Sequence, residues 1–145
     1  MPPAQRTADI AASPEVVWAY LADIPRWASW DPDIASVYRI RGTIESGGSF
    51  SVRMTSGLRG TITFVEAVPA RRSIWDATLA GGLVRAQGTF LLAPLREGHC
   101  RLCYRFQMVG LPGRLAGRLS GSMIADGVRD GLENIVQATG GHTPH

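Results

Sequence analysis

The sequence predicts an α+β domain: a curved antiparallel sheet of about seven strands wrapped around one long C-terminal helix, with two short helices after the first strand. Three observations carry this. Leu102, Tyr104, Phe106 and Met108 alternate with Arg101, Cys103, Arg105 and Gln107, the pattern of a sheet with one covered face. Shorter runs of the same kind, separated by glycine-rich turns, fill the middle of the chain. The stretch from about Pro112 to Thr139 reads as a single helix, closed by Gly140-Gly141.

Taken in order, Gln5 to Ala11 reads as a first strand. Ser13 is placed to cap a helix over Pro14 to Ala22, with Pro14 at its first position and Glu15 beside its positive end. Val17, Trp18 and Leu21 share one face of it, and Trp18 is expected to anchor the helix to the sheet. Asp23 and Pro25 open a second short helix over Ile24 to Ser29, which Asp31-Pro32 ends. Ile34 to Arg41 is a strand, followed by a turn at Gly47-Gly48. Four more follow. Phe50, Val52 and Met54 alternate with Ser51, Arg53 and Thr55; Gly60–Val68, Arg72–Leu79 and Val84–Ala93 come after, the last beyond the Gly81-Gly82 turn.

A chain of 145 residues is expected to form one domain, structured over about 5–139 with 140–145 a flexible tail, and to bury roughly two-thirds of its unfolded surface. No apolar run is long enough to span a bilayer, and residues 1–7 have no signal-peptide core, so a cytoplasmic setting is expected. All 15 basic residues are arginine and the net charge is only +3. The arginines are scattered and mostly alternate with apolar residues along strands, which argues against a nucleic-acid groove. Cys100 and Cys103 form a C-x-x-C, but on a strand that spacing puts them on opposite faces, and no second pair completes a zinc site. His99 falls in a Glu97-Gly98 turn, and His142 and His145 lie in the tail. No Gly-x-Ser-x-Gly, phosphate loop or metal constellation is present, and no cofactor is expected.

Ile10, the Ser13-Pro14-Glu15 helix start, Val17-Trp18 and the Trp27-x-x-Trp30 turn together resemble the opening of the START-like (SRPBCC) superfamily, most closely its polyketide cyclase/dehydrase and lipid-transport branch. The order of elements over nearly the whole chain also looks like the helix-grip fold of that superfamily, shared with Bet v 1-like proteins. The resemblance implies an internal cavity between sheet and C-terminal helix.

Small-molecule cavities are mostly apolar with a few polar groups. The candidate ligand contacts are Phe50, Val52, Met54, Phe64, Leu102, Tyr104, Phe106 and Met108 from the strands, and Leu119 and Met123 from the helix. Trp75 joins them if Trp75, Ala77 and Leu79 point inward; the alternative face carries Ile74, Asp76 and Thr78. Tyr104 is the leading polar candidate, since a tyrosine within an apolar stripe can donate to a ligand carbonyl or bond to backbone. Asp76 and Glu66 are candidate acids or bases if buried and solvent-facing carboxylates otherwise. Arg53 and Arg85 would stabilise an enolate only if they turned inward, and their neighbours place them on the polar face.

Residues 113–124 repeat every four positions, giving stripes of Leu115, Leu119 and Met123, of Arg114 and Arg118, and of Gly113, Gly117 and Gly121. An interior glycine costs roughly 1 kcal/mol of helix stability relative to alanine. Close packing on the sheet, a mobile gate at the cavity mouth and a homodimer contact are the three readings of this segment. For the whole chain, the leading reading is binding of a small hydrophobic molecule, a lipid, quinone or polyketide-like compound. A cyclase, aromatase or dehydratase acting on a bound poly-ketone is the alternative, and a protein-interaction module the second. A carboxylate and Tyr104 lining one pocket would favour the enzyme; an all-apolar pocket would favour a carrier.

Overall fold

The computed structural model describes residues 3–110 and 121–140. Strand β1 (Ala4–Ile10) leads into helix α1 (Pro14–Ala22); a 3-10 turn (Ile24–Arg26) then runs into the short helix α2 (Trp27–Trp30). Strands β2 (Ile34–Arg41), β3 (Ser49–Met54), β4 (Arg59–Val68), β5 (Arg72–Leu79), β6 (Val84–Arg96) and β7 (His99–Gly110) follow, and α3 (Gly121–Thr139) completes the fold. The expected helical residues 112–120 lie outside the described residues, as do tail residues 141–145.

The strands form one antiparallel sheet in the order β1-β7-β6-β5-β4-β3-β2, with β1 and β2 at its edges. Register shifts interrupt β4 between Phe64 and Glu66, β2 on either side of Val37–Tyr38, and β6 at two points. Such bulges bend a strand and increase its twist, which lets the sheet curve about its apolar face. Along β5, Ser73, Trp75, Ala77 and Leu79 are buried, which decides between the two faces left open by sequence. Gly88 of β6 lies directly opposite Trp75, and a Cβ there would overlap the indole ring, so glycine makes room for it.

Ser13 caps α1 as expected, its Oγ accepting the Val16 N–H at 3.2 Å, with Pro14 at the first helical position. The anchoring differs from expectation. Val17 and Leu21 are fully buried, whereas Trp18 is half-buried at the margin of the core. The deep tryptophans are Trp27 and Trp30, at i and i+3 on one face of α2. The Trp27 ring lies 4.9 Å from Trp30, 5.0 Å from Phe50 and 5.4 Å from Trp75, and its Nε1 donates to the Leu21 carbonyl at 2.7 Å. Tilted and edge-on contacts of this kind add to burial in fixing one arrangement of rings. Helix α3 packs against β1, β7, α1 and α2. Its Gly131 lets the Trp30 and Tyr104 rings come close, and Asn134 Nδ2 donates to the Trp30 carbonyl at 3.0 Å.

Candidate functional site

A cavity of about 80 Å³ lies between the sheet and α3. Met54 of β3, Leu79 of β5, Ala86 of β6 and Tyr104, Phe106 and Met108 of β7 supply its sheet side. Met123, Ile124, Gly127 and Val128 supply its helix side. Asp31 and Asp33, on the segment joining α2 to β2, meet Thr55 and Ser56 of the β3–β4 turn in the remaining wall. Of the expected contacts, Met54, Tyr104, Phe106, Met108 and Met123 therefore converge on it. Phe50, Phe64, Trp75, Val52 and Leu102 are not among the residues that line it and lie buried in the core. Leu119 lies outside the described residues, as do Gly113, Arg114, Leu115, Gly117 and Arg118, so most of the segment read as gate or dimer contact does too.

The two carboxylates singled out by sequence point away from this cavity. Asp76 is exposed on the outer face of β5 and accepts from Gln87 Nε2 at 3.2 Å. Glu66, displaced by the β4 bulge, pairs with Arg72 Nε at 2.7 Å across the outer surface. Arg53 and Arg85 are likewise exposed on the outer face. Neither candidate acid is positioned for chemistry in the cavity. Cys100 points into the core and Cys103 outward; burial pushes the Cys100 thiol up to about 11. His99 sits in its turn with Nδ1 3.1 Å from the Glu97 carbonyl. Among the described residues, no three His, Cys, Asp or Glu side chains converge as a metal site.

Of the two carboxylates that do line the cavity, the sequence marks Asp31 only as part of a helix stop and Asp33 not at all. Asp31 precedes Pro32, which bars it from helical torsions, so α2 ends there with Asp31 extended at φ −91° and ψ 108°. Trp30 enters the core one residue earlier, which leaves Asp31 at the cavity wall. The Asp31 Oδ1 accepts the Asp33 N–H at 2.9 Å, closing a tight Asx turn. The Asp33 carbonyl is held in turn by the Thr55 N–H at 2.9 Å. Gly127 of α3 leaves room for the Asp33 carboxylate, since a Cβ there would collide with its Oδ2.

This setting shifts Asp31, Asp33 and Tyr104, the three ionisable groups among the described residues of the wall. Burial raises Asp31 to about 7; the Asp33 N–H offsets part of that, and the Asp33 charge adds to it. Burial also raises Asp33, helped by Asp130 on α3. Tyr104 is pushed well above 10 by burial and then by the nearby charges of Asp31 and Asp33. The phenol is therefore a fixed neutral donor, while Asp31 exchanges its proton near neutrality, as an acid or base in such a cavity must. Tyr104 is 4% exposed and lines the cavity.

A second, more open hollow of about 120 Å³ lies between β1 and α3, lined in part by Arg6, Arg129 and Glu133. Its Arg129 is already held by Asp126 and Asp130, each at 3.1 Å. No described helix is long and apolar enough to cross a membrane.

Comparison with known proteins agrees with this architecture. No match is found among curated proteins. The fold is similar to that of a protein from the dynemicin biosynthetic locus, DynU16, at 16% identity and a TM-score of 0.68; the match covers 97% of this chain but 49% of that one, so this chain spans about half its length. It is also similar to protein CV1439 from Chromobacterium violaceum (17% identity, TM-score 0.74, 96% and 98% of the two chains). A START superfamily protein from Mycobacterium smegmatis matches at 16% identity and a TM-score of 0.68, over 94% and 97% of the two chains. At these identities the likeness establishes the START-like fold alone. A family model described as polyketide cyclase / dehydrase and lipid transport matches residues 1–140, and the chain accordingly belongs to that family.

Proposed function

We propose that this protein binds one small, largely apolar molecule, a lipid, quinone or polyketide-like compound, in the cavity between its sheet and α3. The observation that carries the reading is the wall itself: side chains from four strands and α3 enclose a space whose long walls are methionine, leucine, alanine, phenylalanine and valine. At about 80 Å³ it is smaller than the roughly 150 Å³ apolar cavity known to hold benzene. Methionine side chains adapt their shape at low cost, and three of the four in the chain line this space, so the wall can yield to a guest. The test is binding of ethylbenzene followed by ligand-detected NMR. Ala86→Phe fills the cavity and should abolish the signal, while Ser51→Ala on the outer face should leave it intact. Binding unaffected by Ala86→Phe would place the site elsewhere.

A second reading, a cyclase or dehydratase acting on a bound poly-ketone, is favoured by Asp31 and Tyr104 sharing the cavity wall. In it the Asp31 carboxylate removes a proton from carbon α to a carbonyl whose oxygen accepts from Tyr104, the carbanion attacks a second carbonyl of the same chain, and protonated Asp31 returns its proton to the resulting alkoxide; Asp31 then removes the remaining α proton and delivers it to the departing hydroxyl, which leaves as water. The probe is 2,6-heptanedione, which closes to 3-methylcyclohex-2-enone with release of one water. Closure above the buffer rate, lost in Asp31→Asn, would support catalysis; a rate equal to buffer would leave binding as the function.

A further inference from the structure

We propose that Asp31 and Tyr104 form a polar pole in the cavity that selects neutral ligands carrying a carbonyl oxygen, against both hydrocarbons and anions of the same size. The inference rests on the cavity-binding reading and narrows its ligand class. Three observations carry it. Tyr104, whose hydroxyl can donate, lines the cavity and is 4% exposed. A carbonyl oxygen placed beside that hydroxyl can accept from it, and such a bond inside a mostly apolar wall favours a carbonyl-bearing ligand over a hydrocarbon of the same size. The second observation is the fixed orientation of Asp31. Its Oδ1 accepts the Asp33 N–H, which holds the carboxylate in the turn, and Asp31 lines the cavity. The third is the sign of the charge. Asp31 and Asp33 both line this space, and Asp130 on α3 acts on Asp33, so a carboxylate or phosphate head would meet like charge in a low-dielectric wall.

The same arrangement makes selection depend on pH. When Asp31 is protonated it adds a second donor beside Tyr104; when ionised it competes with the carbonyl oxygen for the phenol proton. Among the described residues, the groups that bear on it are Asp33 from its own turn and Tyr104 from β7, with Asp130 from α3 acting through Asp33. Arg129, which lines the second hollow, is engaged by Asp126 and Asp130.

The experiment compares three ring compounds of similar size, acetophenone, ethylbenzene and benzoate, by ligand-detected NMR at pH 6 and pH 8.5. Acetophenone is expected to bind about three- to tenfold more tightly than ethylbenzene at pH 6. That preference should shrink at pH 8.5, and benzoate should bind at neither pH. Tyr104→Phe should weaken acetophenone about three- to tenfold and leave ethylbenzene unchanged. Asp31→Asn, which keeps the shape of the turn and cannot ionise, should remove the pH dependence. Equal binding of acetophenone and ethylbenzene to the unmodified protein overturns the pole while leaving the cavity reading intact. Binding of benzoate as tight as acetophenone overturns it as well. Binding of none of the three removes both readings. The comparison on the unmodified protein stands whether or not either variant folds.

Discussion

Replacing Asp31 with asparagine should make the protein more stable at alkaline pH and hardly change it in acid. The Asp31 carboxyl titrates at about 7 in the fold against an ordinary value of 3.8. The folded chain therefore keeps a proton that the unfolded chain gives up. Stability from the neutral carboxyl is fully present below about pH 4 and is lost as pH rises towards 7. Three units at about 1.4 kcal/mol each give an upper value near 4 kcal/mol. Asp31 retains some accessible surface, and water reaching it reduces the expected difference to about 2–4 kcal/mol. Asparagine keeps the Oδ1 that accepts the Asp33 N–H and has no charge to bury. Asp33, shifted in the same direction, contributes to both proteins and largely cancels in the comparison. The assay is urea unfolding followed by tryptophan fluorescence, at intervals from pH 4 to pH 8.5. The two unfolding free energies should nearly coincide at pH 4 and separate progressively up to about pH 7. A difference that stays flat across this range would refute the placement of Asp31 in a low-dielectric wall.

Three further outcomes follow from the packing. Gly88→Ala drives a methyl group into the Trp75 ring and should cost about 1–3 kcal/mol despite alanine's lower backbone entropy, as thermal unfolding would reveal. Trp27→Ala removes the hub of the aromatic cluster and should cost about 3–5 kcal/mol, clearly more than Trp18→Ala on the half-buried face of α1; equal losses in chemical denaturation would contradict this account of the core. A thiol reagent at pH 8 should label Cys103 well before Cys100, whose thiol is buried and titrates near 11; the two rates, read by peptide mass spectrometry, would be reversed or equal if β7 had the opposite phase.

The sheet was readable because its signal is local. A strand with one covered face alternates, and β7 does so across Arg101–Met108 with little ambiguity. The Ser13-Pro14 helix start and the Asp31-Pro32 stop were readable for the same reason, since caps and proline restrict only their neighbours. The inward face of β5 was not, because Ile74 and Trp75 are both apolar; the position of Gly88 opposite Trp75 resolves it, and that register is a long-range fact. The cavity wall was half legible. Residues on strands came from alternation, but Met54 and Phe50 share one face and only the former reaches the cavity, because Trp27 fills the space beside Phe50. The helix side carried a signal that the four-residue glycine repeat obscured: Met123, Ile124, Gly127 and Val128 have the i, i+1, i+4, i+5 spacing of one helical face. Asp31 and Asp33 were hardest to see. Nothing in a loop's sequence tells which tertiary surface it will close, and it is α3, admitted at Gly127, that puts Asp33 in a wall.

The space between the sheet and α3 is proposed as the place where a ligand sits. The chain's four methionines make this directly measurable, because Met54, Met108 and Met123 all line that space and their methyl groups give separate NMR signals when carbon-13 is placed there. On titration with acetophenone these three signals should shift together and saturate at one common concentration, while the methyl groups of Ile74 and Leu91 on the outer face remain in place. Saturable shifts at Ile74 or Leu91 with Met54, Met108 and Met123 unmoved would contradict it.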